Sequence, residues 1–144
     1  KSRSLAGSRI GFALGNPRVI DDLNKIRYSF NPYNLNRLSL LAGEAALKDE
    51  EYFEACRRAI METREIFREA LLKLGFSVLP SCANFVFARH PGLAGEEILQ
   101  KLRDRNILVR HFSKSEICDY VRITIGTPEQ MKACSLALGQ ILEQ

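Results

Sequence analysis

The chain has 144 residues, 46% hydrophobic and 26% charged, with a net charge of +4. That size and balance suit one globular domain able to bury a sizeable core. Basic residues alternate with acidic ones and no apolar run reaches the length of a membrane span, so neither a nucleic acid nor a membrane is an expected partner.

The chain opens on Lys1-Ser2-Arg3-Ser4-Leu5-Ala6-Gly7-Ser8-Arg9-Ile10-Gly11. Small residues between a lysine and an arginine let a bulky ligand approach the backbone closely. A lysine amine can form a Schiff base with an aldehyde, and an arginine fork can hold a phosphate by two parallel hydrogen bonds. On spacing alone, a solvated basic turn is the commoner meaning of such a stretch.

The apolar run Ile10 to Leu14 reads as a short buried strand. Asn16-Pro17 then starts a helix, with Asn as N-cap and Pro at the first helical position. Val19, Ile20, Leu23 and Ile26 carry that helix to about Tyr28. Asn31-Pro32-Tyr33-Asn34 interrupts it, and Leu38, Leu41, Ala42 and Ala45 mark a second helix ending near Lys48. Asp49 is placed to cap a long amphipathic helix whose inward positions include Phe53, Cys56, Ile60, Phe67, Leu71 and Leu74. Gly75 is placed to stop it in a left-handed conformation.

Beyond Gly75 the period shortens. Phe76 to Leu79 and Asn84 to Arg89 read as strands, His90-Pro91-Gly92 as a turn, and Ala94 to Arg105 as a helix. Ile107 to Arg110 and Tyr120 to Ile125 are two further strands. Thr127-Pro128-Glu129-Gln130 combines an N-cap, a first-turn proline and a capping-box glutamine, and the last helix turns Met131, Cys134, Leu138, Ile141 and Leu142 inward. Strands joined by short connections pair antiparallel, so the part from about residue 49 onward is expected to be an α+β layer, a small antiparallel or mixed sheet covered by helices.

Cys56, Cys82, Cys118 and Cys134 lie far apart and form no Cys-x-x-Cys pair. With only His90 and His111 to join them, a metal site is not expected; reduced, buried thiols in a cytosolic protein are. Arg122 sits between Val121 and Ile123, where a charge is costly unless it faces a partner or solvent. On pattern alone it is also simply the polar face of an alternating strand, as Arg110 is a strand-end charge.

Lys1 with Leu5-Ala6-Gly7, Arg9 and Gly11 resembles the cofactor-lysine segment of the fold-type I pyridoxal-phosphate aminotransferases. Four further stretches follow in the family's order. They are Pro32-Tyr33-Asn34-Leu35-Asn36, Ala83-Asn84-Phe85, Arg110-His111-Phe112, and Arg122-Ile123-Thr124-Ile125-Gly126-Thr127. Together they are most similar to the histidinol-phosphate aminotransferases. The resemblance implies an α/β superfamily fold, with residues 1–48 a remnant of a large cofactor-binding domain and its linker helix, and residues 49–144 a small α+β domain. It implies pyridoxal 5′-phosphate as cofactor, held by Lys1 as a Schiff base and by Arg9 through its phosphate. Lys1 would also carry the catalytic proton.

Arg122 would bind a substrate carboxylate, Arg110 the phosphate end of the substrate, and Asn84 would lie near the carboxylate arginine. The implied reaction exchanges an amino group between histidinol phosphate, a phosphorylated amino compound, and 2-oxoglutarate in histidine synthesis. The implied assembly is a cytoplasmic homodimer. A threonine-phosphate decarboxylase or another class I/II aminotransferase is the neighbouring reading, and a non-catalytic α+β binding module the remote one. His111 is not expected to act, because the lysine already moves the proton. The family's aspartate to the pyridine nitrogen and its ring-stacking aromatic would precede Lys1, so residues 1–144 alone are not expected to catalyse transamination.

Overall fold

The computed structural model describes residues 3–143. They fall into two compact units divided between Ala55 and Cys56.

The first unit holds α1 (Pro17–Phe30), α2 (Arg37–Lys48) and the start of α3 (Glu50–Lys73). Short polar side chains set each start. Asn16 Oδ1 accepts from the Arg18 amide at 3.0 Å, Asn36 Oδ1 from Ser39 at 2.8 Å, and Asp49 Oδ1 from Tyr52 at 3.1 Å. Each satisfies an amide that the helix itself leaves open. Residues 10–14, expected as a buried strand, instead form an irregular segment with Phe12 74% and Leu14 89% exposed. An isolated strand leaves its backbone groups unpaired, and the described residues of this unit offer no second strand. Helix α1 buries none of its residues, so its apolar stripe faces outward.

The second unit is a two-layer α+β fold, as expected. Its sheet comprises β1 (Ser77–Val78), β2 (Phe85–Arg89), β3 (Arg110–His111) and β4 (Val121–Thr124), in the order β1-β2-β4-β3 with every pair antiparallel. Helices α3, α4 (Gly95–Arg103) and α5 (Pro128–Leu142) supply the other layer. Strand residues alternate between faces. Val86 and Ala88 of β2 and Val121 and Ile123 of β4 point into one cluster with Phe67 and Leu71 of α3, Ile98 and Leu102 of α4, and Leu138 and Ile141 of α5. Burying each large aliphatic side chain in that cluster contributes about 2–3 kcal/mol.

Gly75 closes α3 with φ +84, and the Phe76 amide reaches back to the Leu71 carbonyl at 3.0 Å, a left-handed cap. The capping box of α5 is complete, with Thr127 and Gln130 bonded reciprocally. Two expectations shift. The strand expected over 107–110 forms only at Arg110 and His111, where β4 offers a partner. The cysteines are not uniformly buried. Cys134 is, Cys56 and Cys118 are half-buried, and Cys82 is exposed.

Candidate active site

The second unit covers only one face of its sheet with helices, and the residues on the other face are those of interest. Arg122 of β4 stands directly opposite Arg110 of β3 on one side and Phe87 of β2 on the other. Directly paired residues share a face, so these three form a row across the sheet. Phe85 and Arg89 extend the same face along β2, and Thr124 does so along β4.

Aromatic rings frame the arginines. The Arg122 guanidinium lies 5.2 Å from the Phe85 ring centre and 5.9 Å from that of Phe112. Arg110 lies 5.3 Å from Phe112. Phe87 stacks on Tyr120 at 4.7 Å and meets Phe112 edge-on at 6.3 Å. Such rings attract the cations weakly, and Arg110 itself stays exposed while Arg122 is half-buried. Yet no described carboxylate forms an ion pair with Arg110 or Arg122, and Arg122 Nε is buried without any hydrogen-bond partner. A buried charged donor left open is costly, and a native protein that keeps one generally has a use for it. Two guanidinium groups on neighbouring strands with open donors have the chemistry to receive an anion.

Asn84 precedes β2, and its backbone is held on both sides. The buried Arg64 of α3 donates from Nη1 to the Ala83 carbonyl at 2.9 Å, and the Ile125 amide donates to the Asn84 carbonyl at 2.9 Å. Ser81 Oγ donates to the Phe85 carbonyl at 2.6 Å and accepts from the Ala83 amide at 3.1 Å. These bonds fix the turn and leave the Asn84 side chain exposed, without a hydrogen bond to Arg122. His111 is engaged elsewhere: its Nε2 lies 2.7 Å from the Cys118 carbonyl. A cleft of about 520 Å³ lined by Ser77, Arg89, His90, Leu93 and Asp119 opens at the 90–94 turn, and neither Arg110 nor Arg122 lines it.

The first unit carries the other expected residues. Lys1 and Ser2 lie outside the described residues. From Arg3 to Ile10 the chain is a tight loop. Ser4 and Arg9 adopt left-handed conformations, φ 57 and φ 54, and the Ser8 and Arg9 amides donate to the Leu5 and Ala6 carbonyls at 3.2 and 3.3 Å. The loop is seated on α2. The buried Ser39 hydroxyl donates to the Ser8 carbonyl at 3.0 Å, and Gly43 makes room for Ile10, whose Cδ1 is 2.6 Å from where a Cβ would stand. Arg9 is exposed, and its guanidinium has no partner among the described residues. Nothing lies within 4 Å of a Cβ built on Gly7 or Gly11, so the loop has open space at both positions that flank Arg9 in sequence.

Three features escaped the sequence reading. The aromatic frame of Phe85, Phe87, Phe112 and Tyr120 was legible in part, since alternation puts Phe85 with Phe87 and Tyr120 with Arg122. Arg64 reads as one charge among many on an amphipathic helix. Arg3 gives no local signal at all.

The chain has close relatives among known proteins. A histidinol-phosphate aminotransferase 2 from Dechloromonas aromatica is 50% identical over 141 residues, covering 98% of this chain and 40% of the relative. A histidinol-phosphate aminotransferase from Clostridium botulinum is 51% identical over 132 residues, covering 92% of this chain and 37% of the relative. The crystal structure of histidinol-phosphate aminotransferase from Sinorhizobium meliloti in complex with pyridoxal-5′-phosphate aligns over 99% of this chain and 39% of its own, with a TM-score of 0.87 and 27% identity. The chain therefore spans about two-fifths of the length of the curated relatives it matches. The family model for aminotransferase class I and II matches residues 1–136, from the lysine loop past the arginine face, and this chain belongs to that family.

Proposed function

We propose that this chain supplies the cofactor lysine, the cofactor-phosphate arginine and the substrate arginines of a pyridoxal-phosphate-dependent histidinol-phosphate aminotransferase. The observation that carries the reading is the facing pair Arg110 and Arg122, two guanidinium groups with open donors on one sheet face.

The residues present fit the cofactor. Arg9 offers an exposed guanidinium without a partner among the described residues, on a loop whose Gly7 and Gly11 have open space around them, suited to a phosphate. Lys1 heads that loop, one peptide beyond Ser2. When bound, pyridoxal phosphate supplies an electron sink for the carbanion formed as the substrate Cα–H bond breaks. Lys1 Nζ accepts the proton that leaves the substrate Cα. A lysine suits that task because its unprotonated amine can act as a general base on a proton within its reach.

Histidinol phosphate carries an amine and a phosphate and no carboxylate. Arg110 and Arg122 stand opposite each other, so both can donate to a single phosphate. The acceptor, 2-oxoglutarate, offers its α-carboxylate to Arg122 in its turn. Asn84, exposed beside β2, supplies a neutral hydrogen-bonding group to the same substrates.

Residues 1–48 belong, in this reading, to the large cofactor-binding domain and its linker, and residues 49–144 to the small domain. The outward apolar residues Val19, Leu23, Ile26, Leu38 and Leu41, each about half exposed or more, support burial against further protein surface, and the whole protein is read as a cytoplasmic homodimer on its resemblance to the family.

The test is amino transfer from histidinol phosphate to 2-oxoglutarate by the full-length protein, with Lys1→Ala alongside. The reading expects turnover in the parent and none in the variant. Turnover with non-phosphorylated amino acids but not with histidinol phosphate overturns the substrate assignment.

A further inference from the structure

The lysine-bearing loop is fastened at its far end by Ser39 and Gly43, as described above. Its near end is fastened by Arg3. Arg3 Nη2 pairs with Glu50 Oε2 at 2.7 Å, Nη1 donates to the Asp49 carbonyl at 3.1 Å, and the guanidinium lies 3.8 Å from the centre of the Phe53 ring. A surface ion pair on its own contributes little. This one differs because the Arg3 side chain is only 18% exposed and is held by a carboxylate, a carbonyl and a ring together. Its docking point is firm, since Asp49 caps the first turn of α3 through the Tyr52 amide. The pair also closes a sequence separation of 47 residues, so no local rule of the loop requires it.

We propose that Arg3 is a positioning residue for Lys1. Through Glu50, it ties the lysine-bearing end of the loop to the start of α3. The proposal rests on the reading of Lys1 as the cofactor lysine. Only Ser2 separates the two residues in sequence, so the anchored Arg3 is the described residue nearest the lysine along the chain, two virtual bonds of about 3.8 Å each. That short tether bears on chemistry, because misplacing a reacting group by about 1 Å costs on the order of 100-fold in rate. A mere stability staple makes a different prediction, loss of folding without change in the lysine's behaviour.

The test uses the full-length enzyme loaded with pyridoxal phosphate, and the variants Arg3→Ala, Arg3→Lys and Glu50→Gln. The first readout is the pH midpoint of the visible absorbance band of the lysine-bound cofactor. The second is kcat separately from KM, and the third is thermal unfolding. In Arg3→Ala and Glu50→Gln, kcat should fall about tenfold or more while KM changes little. The spectral midpoint should move by about half a pH unit or more as the lysine's surroundings loosen. Arg3→Lys, which keeps the charge without the fork, should recover part of the loss. Glu50 is exposed on a helix surface, so Glu50→Gln folds even if Arg3→Ala does not. Wild-type kcat and midpoint in Glu50→Gln and in any folded Arg3→Ala, whatever the change in melting, overturn the proposal. Lys1→Ala separates the two levels. Loss of the band there with no effect of Arg3 sinks only the positioning role, whereas a band that survives Lys1→Ala sinks the cofactor assignment and the positioning role with it.

Discussion

Arg110 and Arg122 stand directly opposite one another on antiparallel strands, with no described carboxylate paired to either. Like charges so placed destabilise a sheet by about 0.2–1 kcal/mol. The core beneath the sheet holds the arrangement, and an anion bound between the two guanidinium groups would relieve it. Arg110→Gln should therefore raise unfolding free energy by about 0.2–1 kcal/mol in phosphate-free buffer. Inorganic phosphate should stabilise the parent more than the variant. Urea titrations with and without phosphate check both, and a variant less stable than the parent in phosphate-free buffer would count against the opposition.

The same pair predicts a kinetic split in the full-length enzyme. On the proposed assignment, Arg122→Ala would remove a charge-assisted partner from both substrates, a loss of about 2–5 kcal/mol when the other partner is buried, or roughly 30-fold or more in kcat/KM. Arg110→Ala should weaken histidinol phosphate far more than 2-oxoglutarate, since only the phosphate needs both forks. Measuring kcat/KM for each substrate with each variant decides it. Equal losses on both substrates for Arg110→Ala remove its role as phosphate reader, and normal kinetics for Arg122→Ala leave that residue a plain strand arginine.

Signals confined to a few neighbouring residues were legible. Asn16-Pro17, Asp49, Gly75 and Thr127 to Gln130 each mark a helix end by local hydrogen bonding or backbone freedom, and each end falls where those residues stand. What depends on partners far along the chain was not. The run Ile10 to Leu14 has strand composition but no strand beside it. Arg110 and His111 form β3 because β4 lies alongside them, while Ile107 to Val109 do not. The stripe of α1 fixes a helix and says nothing of what covers it. For the site, the arginines were legible as residue types, but their opposition needed the register of β3 on β4. Arg3 and Glu50, so far apart in sequence, could only be paired by the fold.

The close approach at the start of α4 predicts a steep penalty for one methyl group. A Cβ on Gly95 would stand 2.6 Å from the Cys118 carbonyl oxygen and 2.9 Å from the Asp119 carbonyl carbon, both backbone atoms. The 113–120 segment must move to admit it, and that segment also receives His111 through the Cys118 carbonyl. Gly95→Ala should cost about 1–3 kcal/mol despite alanine's better helix propensity. Chemical unfolding of parent and variant measures it, and an unchanged midpoint would show that the segment yields freely.

Cys134 gives the fold a defined weakness in alkali. Its thiol sits on the inner face of α5 at 3% exposure, and burial pushes its pKa up from 9.0 to about 11. The thiolate is disfavoured because the apolar core cannot solvate it. The native state thus keeps its proton at pH values where the unfolded chain has lost it. The resulting stability is present in full below about pH 9 and is lost as pH rises through about 11. Two pKa units correspond to about 2–3 kcal/mol. Chemical unfolding across that window should show the parent losing this amount beyond what Cys134→Ala loses. The comparison cancels the tyrosines and lysines that titrate in both proteins. If both stability curves fall in parallel, the thiol ionises as readily inside the core as outside it, and burial is not what holds its proton.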